Sequence, residues 1–370
     1  MPGPACSNLF RAGKKAVTES KHSHQVQQIG HNAEHLRERE PTMRITVVLC
    51  TYNRCQTLRR ALDSAAGLTV PESVHWEILV VDNNSDDQTR EVVQEFSSRY
   101  PGRFRYLFEP QPGKSYALNA GIREARGDVL AFMDDDVTVE PTWLQNLTAA
   151  LHDGEWAGAG GRILPARWFS PPRWLSLEGP YAMGTILALF DLGPEAGQLA
   201  QPPFGTNMAF RREMFDKYGC FRTDLGPSPG SEIREEDTEF GRRLMGAGER
   251  LRYEPSAVVY HAVPEHRLKK GYFKAFSFDH GRASVREVGA RPDIWGIRRQ
   301  YFSMVKMGIL LVVSTLRWLV TSPPQRRFYY KLWVWMTVGV IVEFYRQSLE
   351  PRAKTMTGSD TKSQSALNRG

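Results

Sequence analysis

The chain has 370 residues, 41% of them hydrophobic, and a formal net charge of +7, enough for one large α/β domain with an appendage. Between residues 262 and 352 sixteen Lys and Arg stand against six Asp and Glu, so the C-terminal quarter carries most of the excess. No nucleic-acid-reading motif accompanies that charge, and basic residues beside apolar helices point to an anionic membrane surface, with no nucleic acid as partner.

Residues 1–42 are polar, rich in Lys, Arg and His, and hold no apolar run of secretory type. They are expected to be a disordered extension, with Met43 an alternative start. Patterned sequence begins at once after it. Residues 45–50 (ITVVLC) and 77–82 (EILVVD) are continuous apolar runs ending in polar residues, as buried parallel strands read. Residues 104–108 and 129–133 predict two further strands, and 58–67, 89–100 and 115–125 three intervening helices. Strands alternating with helices at this spacing predict a doubly wound, mainly parallel sheet. Ligands of such sheets bind beyond the carboxyl ends of the strands. A helix is expected at 143–151, then loose Gly-, Pro- and Trp-rich sequence as far as 203, then strands at 204–210 and 257–260 with a helix at 235–247 between them.

The tail holds two apolar segments, 304–320 and 332–344, joined by a Pro-Pro turn and Arg326-Arg327. Lys306, Arg317 and Glu343 interrupt or bound them, and a span needs about 20 apolar residues. An interfacial or re-entrant helical hairpin is expected, with a two-pass anchor as the alternative. The four cysteines (Cys6, Cys50, Cys55, Cys220) show no metal spacing, which suits a reducing compartment.

Asp134, Asp135 and Asp136 follow an apolar strand directly. Three adjacent anions at a dry strand end repel one another unless a cation is present, and a divalent ion that also grips a diphosphate resolves the conflict. Thr51-Tyr52-Asn53-Arg54 and Asp82-Asn83-Asn84-Ser85-Asp86 end the first two strands, offering a ring and hydrogen-bonding groups suited to a nucleobase and ribose. Gly113-Lys114-Ser115 opens a helix but lacks the upstream glycine of a phosphate-binding P-loop, since that position is Phe108. Lys114 can still meet a diphosphate, with Asn119 one turn on. Glu236-Asp237 opens a later helix and is a candidate general base. Gly205-Thr206-Asn207 is a candidate wall for an acceptor, and His261, at a strand end, a candidate metal ligand.

Together these landmarks resemble the family 2 glycosyltransferases of the GT-A fold, from about Met43 to His261. The resemblance implies an inverting transferase that uses a nucleotide-sugar donor and Mn²⁺ or Mg²⁺. It implies that Tyr52 stacks on the base, that Asp82 and Asn83 contact the nucleoside, and that Thr51, Asn53, Arg54, Lys114, Asn119 and Asp135 belong to the same pocket. Asp134 would hold the ribose, Asp136 and His261 the metal, and Asp237 would be the base with Glu236 in support. Asn83 stands where uridine-diphosphate users often carry Asp, so thymidine or guanosine carriers stay open beside uridine. A polyprenyl-phosphate sugar transferase and an inactive nucleotide-sugar-binding module are the alternatives.

The expected organisation is a catalytic domain at 43–265, split at 136 into nucleotide and acceptor halves. A basic helical linker at 266–300, an apolar hairpin at 301–348 and a disordered tail at 349–370 complete it. The expected partners are a nucleotide-sugar, a saccharide or lipid-linked acceptor and a membrane surface. Flanking arginines place the catalytic domain on the cytoplasmic face of that membrane.

Overall fold

The computed structural model describes residues 43–152, 154–166, 168–229, 233–288 and 294–349. The extension expected at 1–42 and the tail beyond 349 lie outside these residues.

The first half alternates as its apolar runs predict. Strand β1 (Arg44–Thr51) is followed by α1 (Cys55–Ala66), β2 (His75–Asp82), α2 (Thr89–Arg99), β3 (Phe104–Phe108), α3 (Lys114–Glu124) and β4 (Val129–Asp134). The second half runs β5 (Val137–Val139), α4 (Trp143–Thr148), β6 (Gly158–Pro165), β7 (Gly197–Gln198), β8 (Met208–Arg211), α5 (Arg212–Tyr218), α6 (Glu236–Gly246) and β9 (Leu251–His261). Three helices close the chain: α7 (Lys270–Val288), α8 (Ile294–Val320) and α9 (Pro324–Leu349).

Among the described residues the strands form one mixed sheet in the order β3-β2-β1-β4-β8-β6-β9-β5, with β7 on β9. β3, β2, β1 and β4 are parallel, β8 is antiparallel to β4 and β6, and β6 runs parallel to β9. The central strands carry Val47, Val48, Leu49, Leu79, Val80 and Leu130 fully buried, because helices cover both faces. Gly121 of α3 lets that helix sit close on the sheet: a Cβ there would lie 2.5 Å from Val48. The register sets Thr51 beside Asp82 and Cys50 beside Asp134, so all three polar strand ends emerge at one edge.

Three expectations are corrected. The loose region at 152–203 contains β6, whose glycines obscure any strand pattern. Cβ atoms at Gly158, Gly160 and Gly161 would fall within 2.2–2.4 Å of Phe210, Pro203 and the Ala257 carbonyl, so the neighbours occupy their space. The strand expected at 204–210 starts only at Met208, because 204–207 close a turn in which the Asn207 N–H donates to the Phe204 carbonyl. The stretch expected to be a basic helical linker is helical, as α7, but it packs along α9 instead of only connecting.

The apolar tail segments fall within α8 and α9, which pack against each other. Among the described residues no helix is long and apolar enough to cross a membrane. Glu343, expected as an interruption, anchors α9 instead: it accepts from Arg282 at 3.0 Å and from Arg286 at 2.7 Å, both on α7. Burial alone would raise this carboxyl, yet the two guanidinium groups hold it below the ordinary range. The helices touch backbone to backbone where Gly281 faces the Met336 carbonyl and Gly339 the Phe278 carbonyl.

Candidate active site

The carboxyl edge of the sheet opens into a cleft of about 1100 Å³, bounded by the ends of β1, β2 and β4, the start of α6, and side chains from α7 and α9. Its floor is acidic. Asp134 ends β4 and accepts from Lys114 Nζ at 2.8 Å and from the Thr206 hydroxyl at 2.7 Å. Asp135 is buried, accepts from the Thr51 hydroxyl at 2.7 Å, and pairs with Arg54 at 3.0 Å. Arg54 also reaches Asp136 at 3.2 Å, so one guanidinium spans two carboxylates. Burial, reinforced by the charge of Asp136, pushes Asp135 up to about 6. Burial opposes ionisation of Asp134 and Asp136 as well, but Lys114 in one case, and His261, Arg267 and Arg54 in the other, hold both below the usual range.

The pairing of β5 with β9 sets Val137 opposite His261 and so brings His261 beside Asp136. His261 is buried, its Nδ1 is 2.9 Å from the Leu187 carbonyl, and its Nε2 is 3.5 Å from an Asp136 oxygen. A carbonyl only accepts, so Nδ1 directs its proton at Leu187, and Nε2 is the nitrogen that faces Asp136. An imidazole nitrogen beside a carboxylate is a pair of donors that would suit a divalent cation of the Mn²⁺ or Mg²⁺ type, were Nε2 to give up any proton to it. These two residues fit part of such an ion's shell, while among the described residues no group of three or more His, Cys, Asp or Glu is gathered to hold one. Arg267, which the sequence reading passed over, stands 3.5 Å from that nitrogen and 4.0 Å from Asp136.

Across the cleft, Glu236 and Asp237 open α6. Glu236 is buried and Asp237 half-buried, and loss of hydration raises the pKa of each, that of Glu236 to about 8. Asp237 accepts backbone N–H bonds from Gly205 (2.5 Å) and Thr238 (2.7 Å), one at each oxygen. One oxygen of Glu236 is buried with no hydrogen-bond partner, and the other lies 3.8 Å from Lys114. Lys114 thus bridges the two acidic groups. Burial would lower its pKa, but Asp134, Glu236 and Asp237 outweigh that and raise it.

Tyr52 lines the cleft and is exposed. Residues 46–219 match the model of the family described as "Glycosyl transferase family 2". Over just under half of its length the chain is similar to glycosyl transferase family 2. It is 28% identical over 264 residues to the succinoglycan biosynthesis protein ExoM of Rhizobium meliloti (strain 1021), a match that covers 69% of this chain and 80% of that one. It is 26% identical over 285 residues to a glucosyl-dolichyl phosphate glucuronosyltransferase of Haloferax volcanii, covering 76% and 88%. Among solved structures, the mannosyltransferase PcManGT from Pyrobaculum calidifontis, in complex with GDP-Man and Mn²⁺, superposes with a TM-score of 0.53 at 19% identity over 88% of this chain and 95% of that one. The likeness is one of fold.

Several expected ligand contacts are spent on building the site. Asn83 donates to the carbonyls of Glu109 (3.2 Å) and Gln111 (2.7 Å) and accepts from the Gly113 N–H (2.8 Å). It therefore clamps the loop that leads into Lys114, and its amide says nothing about which base is bound. Asn119 exchanges two bonds with the backbone of Phe221 and does not line the cleft. Asn207, fully buried, bonds Trp143, the Arg162 carbonyl and the Ala257 carbonyl, which makes it a scaffold residue rather than an acceptor wall. Asn53, in the left-handed region at φ 51°, ties its loop to Ser85 and Asp86. Asp82 accepts from the Ser85 N–H (2.9 Å) and the Tyr106 hydroxyl (2.7 Å). The structure adds one pair that the sequence did not suggest: His280 of α7 meets Glu235 at 2.5 Å, just before the Glu236–Asp237 pair.

Proposed function

We propose that this chain is a family 2 glycosyltransferase, metal-dependent and inverting. It moves a sugar from a nucleotide-diphosphate donor, uridine favoured over thymidine or guanosine, to a hydroxyl of a saccharide or lipid-linked acceptor. The observation that carries the reading is the opposition of two acidic groups across one cleft, Asp134-Asp135-Asp136 on one side and Glu236-Asp237 on the other, with Lys114 between them.

Tyr52 stacks on the base, and Asp134, held by Lys114 and Thr206, contacts the ribose. Asp136 and His261 hold the cation, which when bound offsets charge on the leaving diphosphate. Lys114 and Arg54 add fixed positive charge beside it. Asp237 takes the proton from the acceptor hydroxyl as that oxygen attacks the anomeric carbon from the face opposite the diphosphate. Its two backbone N–H donors keep the carboxylate aimed while its remaining lone pairs accept. Glu236, whose burial raises its pKa well above the ordinary carboxyl range, limits the negative charge beside Asp237.

The exposed apolar face of α8 supports docking on the cytoplasmic surface of a membrane, since Val305, Ile309, Val312, Leu316 and Leu319 recur at spacings of three and four. The reaction is tested by ¹H NMR of slow donor hydrolysis with Mn²⁺. The free sugar released first from an α-linked donor is expected to be the β-anomer. Initial release of the α-anomer, or equal rates in EDTA, would overturn the reading.

A further inference from the structure

Glu235 stands directly before α6, and Glu236 and Asp237 are the first two residues of that helix. The Glu235 N–H donates to the Leu225 carbonyl at 2.9 Å, and its carboxylate is buried. The Thr238 hydroxyl (2.7 Å) and Arg242 (3.2 Å) share one carboxylate oxygen, and His280 Nδ1 stands 2.5 Å from the other. A carboxylate only accepts, so Nδ1 donates. Burial opposes the charge on Glu235, but His280, Thr238 and Arg242 outweigh it and hold the carboxyl below its ordinary range. The bond to Glu235 in turn raises His280 above the ordinary histidine value. Each partner favours the charged form of the other, which makes this the stronger kind of hydrogen bond.

Thr238 and Arg242 belong to α6 and travel with it, whereas His280 belongs to α7. Its support there is firm. The imidazole lies nearly parallel to the ring of Phe276 one turn earlier, with 9° between the planes. Gly281, the next residue, sits against the Met336 carbonyl of α9, and Arg282 pairs with Glu343 of the same helix. From His280 the path to the reacting group is short. Glu235 accepts from the Thr238 hydroxyl, and the Thr238 N–H donates to Asp237 at 2.7 Å.

We propose that His280 is a positioning residue for sugar transfer: through Glu235 and Thr238 it holds the Asp237 carboxylate where the acceptor hydroxyl needs it. The inference rests on Asp237 as the base and adds a residue of α7, outside the residues 46–219 that match the family. A base that is misaimed costs rate rather than donor affinity. A group that only braced α7 against the body would not act through Asp237 in particular.

The test uses the full chain with Mn²⁺ and reads hydrolysis of UDP-glucose, UDP-N-acetylglucosamine, dTDP-glucose and GDP-mannose by ¹H NMR, with kinetics on the fastest. His280→Ala is expected to lower kcat roughly tenfold to a hundredfold, with donor KM unchanged. His280→Asn, whose amide N–H takes the place of the Nδ1 donor, is expected to restore most of that loss. In an Asp237→Asn background His280→Ala is expected to cost nothing further, since the group it positions is already gone. Hydrogen exchange at the Gly205 and Thr238 amides, read by mass spectrometry, is expected to quicken roughly tenfold in His280→Ala and to stay slow in His280→Asn. Glu235→Gln breaks the charged pair from its other end and is expected to reproduce both effects, so a folding defect in one variant leaves the other decisive. Losses that multiply in the double variant, a loss confined to donor KM, equal impairment of the Ala and Asn variants, or unaltered exchange at both amides would overturn the proposal. If no donor is hydrolysed, or Asp237→Asn keeps full kcat, the transferase reading fails instead, and the exchange measurement still decides whether His280 fixes the contacts of Asp237.

Discussion

The backbone N–H of Gly205 donates to Asp237 at 2.5 Å, and a Cβ at residue 205 would stand 2.9 Å from the same carboxylate oxygen. The glycine is therefore required by closeness, since only a bare backbone can approach this carboxylate so nearly. Thr238 pins the other oxygen, so the carboxylate has little room to retreat. Gly205→Ala is expected to lower kcat by roughly tenfold to a hundredfold, the cost of moving a reacting group by a fraction of an ångström to an ångström. Nucleotide affinity should stay unchanged. Steady-state kinetics beside nucleotide titration checks this, and a loss confined to donor KM would contradict it.

Asp237→Asn keeps the size of the side chain and an oxygen for Gly205, but removes the basicity. A general base contributes about 10²–10⁴-fold, so kcat is expected to fall in that range with the nucleotide melting shift intact. An unchanged kcat would move the role of base to Glu236.

Glu236 provides a test with a definite sign. Burial raises its folded pKa to about 8, against an ordinary value of 4.5. Between these values the native state binds more protons than the unfolded chain, so this group lowers stability as pH rises from about 5 to 8. Glu236→Gln removes that contribution. The melting temperature of the variant relative to wild type is expected to climb across this window and to level off above it, as differential scanning calorimetry would show. A difference independent of pH would mean that Glu236 is ionised throughout.

Gly339 and Gly281 predict how firmly the C-terminal helices are docked. A Cβ at either would lie 2.0 Å from a backbone carbonyl of the facing helix, which cannot yield without the helices parting. Gly339→Val is expected to destabilise by about 1–3 kcal/mol or more and to expose residues 270–349 to limited proteolysis. Gly308→Ala, where a Cβ meets nothing within 4 Å, should be neutral or stabilising by up to about 1 kcal/mol. Equal proteolysis of the two variants would contradict the docking.

The parallel half of the fold was legible because β1, β2 and β4 are covered on both faces and read as unbroken apolar runs. Asp134-Asp135-Asp136 was legible for a related reason, since charge placed directly after such a run marks a strand end. What stayed hidden depended on partners distant in sequence. Asn83, Asn119 and Asn207 have side chains that suit turns, ligands and scaffolding equally, and only the backbone groups facing them decide which. β6 was invisible because its glycines leave no apolar period. The pairing of Glu235 with His280 and of Glu343 with Arg282 and Arg286 joins residues 45, 61 and 57 positions apart. Nothing in local patterning announces such pairs.

The central claim, that Asp136 and His261 hold a cation shared with a nucleotide diphosphate, is tested most directly by the melting temperature of the full chain. UDP, dTDP, GDP and CDP would each be added with and without Mn²⁺, to wild type and to Asp136→Ala. Ligand that binds only the folded state raises the midpoint with RT ln(1 + [L]/Kd). The account predicts a shift with one nucleotide that needs Mn²⁺ and disappears in Asp136→Ala, while the variant stays folded. A shift of equal size without metal, or one retained in Asp136→Ala, would contradict it.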